Sequence, residues 1–210
     1  MGSNLGNVHF KPVVTKYPAE RMPVWIEVKE RKLAGGTVSL IGLPKGTQIP
    51  LALPVYLPVM GGKAIFLDSY EVQEAVTAAS TSIKLKGTNN AVPEEGFILG
   101  ILNDAGNGLT KAAALGAYDA ENGSFAIEAN SLGALNKGDK LYVAKAAGSN
   151  VALQKPTGLS WREIYVSNDG AYAGTVSVVT KGQILGDRIP EMLDFYKDAL
   201  TGITFEYENE

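Results

Sequence analysis

The fold class is indicated by a stretch near the middle of the chain, residues 117–127, with the sequence AYDAENGSFAI. Its centre, Glu121-Asn122-Gly123-Ser124, has the composition of a hairpin turn, because Asn and Gly tolerate the positive φ angles that tight turns require. Ala117 and Tyr118 precede the turn, and the β-prone run 125–127 follows it. We therefore predict two short antiparallel strands here.

The same alternation of β-prone runs and turns continues along most of the 210-residue chain. Runs rich in β-branched and aromatic residues recur roughly every 8–15 residues, separated by clusters of Gly, Asn, Asp and Pro. This spacing predicts a mainly β protein with an antiparallel β-sandwich or barrel-like fold. The other predicted strands are 24–28, 37–41, 63–67, 81–86, 95–99, 140–143, 151–153, 161–166, 175–179 and 203–207.

The sequence also predicts one strand pairing and leaves the secondary structure of one segment open. Residues 140–143 and 151–153 are predicted to pair as a hairpin, because turn-forming residues flank both runs. Residues 110–118 fit two structures: an alanine-rich centre favours helix by propensity, whereas Gly108 and Gly116 bound a segment short enough to be a strand.

One short helix is predicted near the end of the chain. Pro190 suits the first helical position, and Gly202 suits the position just past the last turn. Between them, Leu193, Tyr196 and Leu200 form an apolar stripe at helical spacing.

A sequence echo links two turns. Residues 43–49 and 135–141 share the pattern Leu-x-Lys-Gly-x-x-apolar. Physically this pattern predicts a turn with Gly46 or Gly138 at positive φ, followed by a strand. The echo indicates either two related β modules or a coincidence between turn-rich segments.

The domain organisation follows from composition. Residues 1–22 contain several Gly, Asn and Pro and few periodic apolar positions, which predicts an extended N-terminal arm, either frayed or docked on a partner. Residues 23–210 form the β-rich structural region, as one unit or as two modules of about 23–100 and 101–210.

Charge and composition exclude several functional classes. The net charge is −3, with 19 basic residues scattered among 22 acidic ones, so we expect no nucleic-acid binding. Without a basic amphipathic stretch or a long apolar run, we expect no membrane association. The absence of cysteine excludes disulfides and thiolate metal sites.

The sequence offers no recognisable catalytic set. The single histidine, His9, lies in the predicted arm, whereas triad catalysis and zinc sites need a positioned imidazole or several converging ligands. No phosphate-binding glycine loop is present, and nothing selects a pair of carboxylates for glycoside hydrolysis. We therefore expect no enzyme activity, no cofactor and no metal.

Aromatic side chains are the remaining candidates for a functional surface. Rings at strand spacing are more often core or interface residues than a platform for sugars, although a platform stays the alternative. The candidate interface or anchor residues are His9, Phe10, Trp25, Tyr56, Trp161, Tyr165 and Tyr172.

Three stretches resemble head-fibre and capsid-decoration proteins of tailed bacteriophages, particularly those that infect gut Bacteroidetes (crAss-like type). In the first, residues 23–27 precede LPKGTQIPLALPV at 43–55, which is similar to the segment Lys-Gly-x-x-Ile-Pro-x-Gly-x-Pro-Val of that group, with Leu51-Ala52-Leu53 where a Gly usually lies. The second joins residues 79–85 to 93–98, and the third joins 174–183 to 188–190 and the terminal helix. All three are strand-and-turn phrases without functional side chains.

The resemblance implies a virion structural protein, made in the host cytoplasm and bound to the capsid exterior. It implies a homotrimer whose partners are its own copies and the major capsid protein. The alternative is a carbohydrate-binding β module on a phage or bacterial surface, which leaves glycan binding open. An enzyme acting on surface polysaccharide is a further rival, and it would need two carboxylates about 5–10 Å apart in a cleft.

Overall fold

A computed structural model describes residues 24–38, 43–44, 46–58, 63–166 and 174–207. In these ranges the chain is mainly β, with antiparallel sheets in a sandwich-like arrangement and one short α-helix, which confirms the predicted fold class. The strands are β1 (Trp25–Val38), β2 (Gln48–Ile49), β3 (Pro54–Tyr56), β4 (Ile65–Phe66), β5 (Tyr70–Val72), β6 (Ser82–Ile83), β7 (Leu85–Gly87), β8 (Ile98–Leu102), β9 (Gly108–Ala114), β10 (Tyr118–Asp119), β11 (Ser124–Ala126), β12 (Lys140–Val143), β13 (Gly148–Ala152), β14 (Gly158–Ser160), β15 (Ile164–Tyr165), β16 (Gly174–Leu185) and β17 (Ile203–Glu206), and the helix is α1 (Asp194–Ala199).

Two larger sheets organise these strands. The β1 sheet has the order β1-β16-β14-β3-β4, and β17 also pairs with β16. The β8 sheet has the order β13-β9-β8-β12-β5-β7. Two smaller sheets, β10-β11-β6 and β15-β2, complete the fold.

The main core receives apolar side chains from both large sheets. The β1 sheet contributes Val55 and Val178, and the β8 sheet contributes Leu99 and Leu141, all of them fully buried. Adjacent residues on one strand point to opposite faces, so Val179 enters a separate cluster with Leu159, Ile184 and Ile203. The β1 sheet is therefore covered on both faces over part of its area.

The central hairpin forms as predicted. Tyr118 pairs with Phe125 and Asp119 pairs with Ser124, and the Tyr118 and Phe125 ring centroids lie 4.8 Å apart. Gly123 has a φ of 63°, the left-handed conformation that the turn sequence predicted.

The hairpin predicted between residues 140–143 and 151–153 forms only beside its connecting loop, where the Gln154 N–H donates to the Val143 carbonyl. There, Ala144 and Leu153 form a single antiparallel bridge. Beyond it the strands diverge: β12 pairs with β8 and β5, and β13 pairs with β9. The reason is packing, because Leu141 belongs to the main core while Leu153 belongs to a different cluster beside β9.

The ambiguous segment 110–118 is a strand over its first part, since β9 runs to Ala114 and pairs with β8 and β13. Tertiary pairing overrides the helical propensity of its alanines.

The C-terminal helix is shorter than the predicted span between Pro190 and Gly202. Ile189, restricted by the following proline, is extended at φ −101° and ψ 159°, and Leu193 is also extended. The helix therefore begins only at Asp194. Tyr196 and Leu200 are buried, as the apolar stripe predicted.

The segment after β16 returns the chain to the same sheet. A 3-10 turn at Gly186–Arg188 and α1 connect β16 to β17, which pairs with β16 in parallel. Gly182 pairs with Ile203 at one end of this ladder, and Leu185 pairs with Glu206 at the other. Both strands therefore leave the ladder in the same direction.

The two echoed turns adopt the same local structure. Gly46 and Gly138 have φ values of 78° and 94°. The backbone N–H of Thr47 donates to the carbonyl of Pro44, and that of Asp139 donates to the carbonyl of Asn136. The echo thus reflects a shared turn followed by a strand.

Ala52 occupies the position where the resembled segment carries Gly. Its φ is 63°, a left-handed conformation that costs an L-residue about 1–2 kcal/mol. The backbone of this turn is therefore the one that a glycine would adopt.

The described strands from the two sides of residue 100 share sheets. β8 spans that boundary, and β5 pairs with β12. The optional division into modules of about 23–100 and 101–210 does not follow a break in the described sheets. The predicted arm, residues 1–22, lies outside the described residues.

Candidate functional site

Strand β1 forms one edge of its sheet and pairs along its length only with β16. Near the C-terminal end of β1, Thr37 also forms an isolated parallel bridge with Lys63. The first half of β1 thus presents a backbone edge that is not paired with any described strand. Such an edge can add a strand from another chain.

Large apolar side chains are exposed on this same strand. Ile26 is 52% exposed, Val28 37% and Leu33 65%. Residues 26–30 are all exposed, so both faces of this part of the strand reach solvent. We name Ile26, Val28 and Leu33 together the β1 apolar edge. These apolar side chains are not buried in the hydrophobic core, which therefore does not account for them.

Charged residues lie between these apolar ones. The Lys29 ammonium lies 3.2 Å from the Glu27 carboxylate, and Lys181 on β16 lies 2.7 Å from Glu30. The hydrogen bond from Lys181 holds the pKa of Glu30 below its usual range. These exposed pairs keep the edge hydrated and contribute little to stability.

Four register irregularities interrupt the β1–β16 ladder. Gly182 lies opposite Val28, and a Cβ atom at Gly182 would lie 2.4 Å from the Glu27 carbonyl oxygen. The strands therefore approach closely here only because this residue has no side chain.

Beside β1 lies a groove of about 400 Å³ built around Trp161. The Arg31 guanidinium carbon is 3.3 Å from the indole centroid, and that of Arg162 is 4.0 Å from it. Two guanidiniums therefore lie against the same ring. We name this arrangement, with the adjoining Leu33 and Ser177, the Trp161 groove.

The guanidiniums of Arg31 and Arg162 occupy space against the Trp161 ring. A sugar ring that stacks on this tryptophan would have to compete with them for the ring. The N–H groups of the two guanidiniums are hydrogen-bond donors.

The structure disperses the other predicted aromatic residues. Trp25 is half-buried against the Ile184 cluster, and its indole nitrogen has no hydrogen-bond partner among the described residues. Tyr56 is half-buried against the main core. Tyr165 is 57% exposed, and its hydroxyl donates to Glu163 over 2.9 Å.

The remaining candidates, His9, Phe10 and Tyr172, lie outside the described residues. Sequence reasoning missed Arg31 because its contact with Trp161 joins residues distant in the chain. It missed Arg162, the neighbour of Trp161, because adjacent residues on an extended chain usually point to opposite faces. The basic composition around Arg31 was visible, but its aromatic partner was not.

A buried carboxyl group marks a second cavity of about 110 Å³. Asp68 accepts hydrogen bonds from the backbone N–H groups of Ser69 and Asn89 and from the Asn89 amide. Burial raises the pKa of Asp68 even though these bonds oppose the shift. Since its oxygens are engaged in holding the loop around Asn89, we assign Asp68 a structural role.

Two tyrosines also line this cavity. Burial raises the pKa of Tyr142 and of Tyr196, and the Tyr196 hydroxyl has no hydrogen-bond partner among the described residues. The cavity has room for water that can bond to this hydroxyl.

The described ranges hold no group of three or more His, Cys, Asp or Glu side chains able to bind a metal ion. No helix within them has the length and apolar character needed to cross a lipid bilayer.

Comparisons with known proteins give no assignment. No protein-family model matches the chain, and neither a curated protein nor a solved structure matches it.

Proposed function

We propose that this chain is a virion structural protein, a head-fibre or capsid-decoration component that associates with its own copies and binds the outside of a phage capsid. The observation that carries the proposal is the β1 apolar edge, where Ile26, Val28 and Leu33 are exposed along a strand edge that pairs with no second strand in the described part of the chain. Contiguous exposed apolar surface of this kind is typical of protein interfaces.

The fold suits such a role. Short strands packed against a common core give a rigid body, and the proposed role requires no catalytic step, cofactor or metal. The left-handed backbone at Ala52 fits the glycine position of the resembled phage segment and adds support for that relationship.

Self-association would proceed through the β1 side. Pairing of a second chain along β1 satisfies its free backbone groups, and burial of three aliphatic side chains favours association by about 25 cal/mol per Å² of apolar surface. We propose a homotrimer as the assembled form, with the major capsid protein as the second partner.

The test is electron microscopy of the assembly that copurifies with the chain from infected cells. The proposal predicts copies of the protein in regular positions on the outer surface of phage heads. Recovery of the chain only as a free protein, with phage heads lacking it, would contradict the proposal.

A further inference from the structure

The Trp161 groove carries two positive charges, those of Arg31 and Arg162. Neither Arg31 nor Arg162 forms an ion pair with a described carboxylate, although Lys29, Lys63 and Lys181 do. A guanidinium stacked on an aromatic ring uses its face and keeps its N–H edge, which matches the geometry of a carboxylate. The indole holds both groups in place before any ligand arrives.

The groove around them is suited to a peptide segment. Its volume is about 400 Å³, Leu33 supplies an apolar wall, and Thr175 and Ser177 supply hydroxyl groups. Glu163 is the acidic residue of this lining, and its carboxylate accepts a hydrogen bond from the Tyr165 hydroxyl. A carboxylate bound here would lie between hydrogen-bond donors and beside a hydrophobic contact.

The chain itself contains a segment of matching chemistry. Residues 206–210 have the sequence EYENE, with three glutamates in five positions, more than in any other five-residue window of the sequence. Glu206, the first of them, is exposed at the end of β17.

The segment and the groove lie at opposite ends of β16. The groove contains Thr175 and Ser177, whereas Glu206 pairs with Leu185. Leu185 lies eight positions after Ser177, a distance of roughly 26 Å in a strand.

Strand β17 runs away from the Trp161 groove of the same copy. Because β17 is parallel to β16, the chain leaves Glu206 in the direction away from Ser177. Residues 208–210 add a reach of at most about 10 Å. The acidic segment of one copy is therefore placed for the groove of another copy.

We propose that the Trp161 groove binds the acidic segment 206–210 of a second copy of this chain, with Arg31 and Arg162 donating to its glutamates. This inference rests on the self-association proposed above and supplies a contact for it. The two surfaces differ, so the contact is head-to-tail, the kind that closes into a ring such as a trimer.

The direct test uses a labelled peptide of residues 203–210 with both ends blocked, so that only side chains carry charge. Its binding is followed by fluorescence anisotropy on the full chain carrying Glu206→Gln, Glu208→Gln and Glu210→Gln. We expect saturable binding, weaker at 0.5 M NaCl because salt screens the exposed charges. A peptide with glutamine at the three glutamate positions should bind at least tenfold more weakly.

The groove is tested by adding Arg31→Gln and Arg162→Gln to the same protein. The peptide affinity should fall at least tenfold. The matched control, Lys137→Gln with Lys155→Gln, removes two exposed charges elsewhere and should leave the affinity unchanged. Equal binding of the glutamine peptide, or full binding to the arginine variant, would overturn the inference.

A charge exchange provides a second test in the assembled protein. Arg31→Glu with Arg162→Glu, and Glu206→Lys with Glu208→Lys and Glu210→Lys, should each weaken self-association measured by light scattering. An equimolar mixture of the two variants should restore it in part, since each supplies the complement of the other.

The two proposals fail differently. If the wild-type chain associates but the peptide does not bind, the acidic segment is not the contact and the proposed function stands. If the peptide binds while the chain stays monomeric, the groove chemistry stands and self-association fails.

Discussion

The edge strands β1 and β13 differ in the side chains that they expose to solvent. β13 spans Gly148–Ala152, and its first three residues are exposed and polar or lack a side chain. β1 spans Trp25–Val38 and exposes Ile26, Val28 and Leu33. Short polar edges discourage association between sheets, whereas long apolar ones promote it. We therefore propose β1, and not β13, as the contact surface.

The largest effect should come from separating β1 from β16. Gly182→Val places a side chain against the Glu27 carbonyl, where even a Cβ atom would lie at 2.4 Å. We expect a loss of about 3 kcal/mol in the free energy of unfolding, measured by urea denaturation. Ser149→Val on β13 is the control and should change it by less than about 0.5 kcal/mol. Equal free energies of unfolding for the two variants would contradict the claim that the β1–β16 contact requires glycine at position 182.

The next effect concerns association. Ile26→Thr, Val28→Thr and Leu33→Thr keep β propensity and remove the apolar edge, so the dissociation constant should rise on the order of tenfold to a hundredfold. Sedimentation velocity measures this change. The matched variant on the other edge, Ser149→Thr with Ala152→Thr, should associate like the wild type. An unchanged constant for the β1 variant would show that the contact lies elsewhere.

A smaller effect is expected at Trp161. Trp161→Ala removes two guanidinium stacks, each worth about 0.5–1 kcal/mol, and should lower the free energy of unfolding by about 1–2 kcal/mol. Tyr165→Ala, at an exposed ring, is the comparison and should have a smaller effect. Thermal and urea denaturation both report the difference.

The Trp161→Ala variant also tests the carbohydrate alternative. Because two guanidiniums lie against the Trp161 ring, we expect no glycan-array signal that depends on Trp161. Binding to a glycan by the wild type that disappears in this variant would favour the carbohydrate-binding function.

The smallest effect is electrostatic. Lys181 lowers the pKa of Glu30, so the Glu30 carboxylate contributes stability above its unfolded pKa and loses that contribution as the pH falls through the lower folded value. Carboxyl NMR titration should place the Glu30 pKa below 4.5, and Lys181→Gln should return it toward that value. Glu121, which has no ion pair among the described contacts, serves as the control. Identical titration of Glu30 in both proteins would show that the pair does not form.

The fold class and many turns were predictable because their causes are local. Gly46, Gly123 and Gly138 take positive φ in the turns where composition required it. Strand partners were not predictable in the same way. The pairing of β12 with β8 depends on which cluster receives Leu141, and that is decided by residues far away in the chain.

The candidate site was predictable only in part. Trp161 and Tyr165 were identified from their residue type, but Arg31 reaches Trp161 only through the long β1–β16 ladder. The exposure of Leu33 was also not predicted, because Leu33 lies between the predicted strands 24–28 and 37–41, which the structure joins into β1. The predicted start of the helix at Pro190 was wrong for a local reason, because the backbone is extended at Ile189 and at Leu193.

The central claim is that the β1 apolar edge joins copies of this chain. Sedimentation velocity of the purified wild-type protein over a wide concentration range tests it most directly. The account predicts a discrete oligomer that dissociates on dilution and is weakened by the three threonine substitutions on β1. A single monomer boundary at every concentration would contradict it.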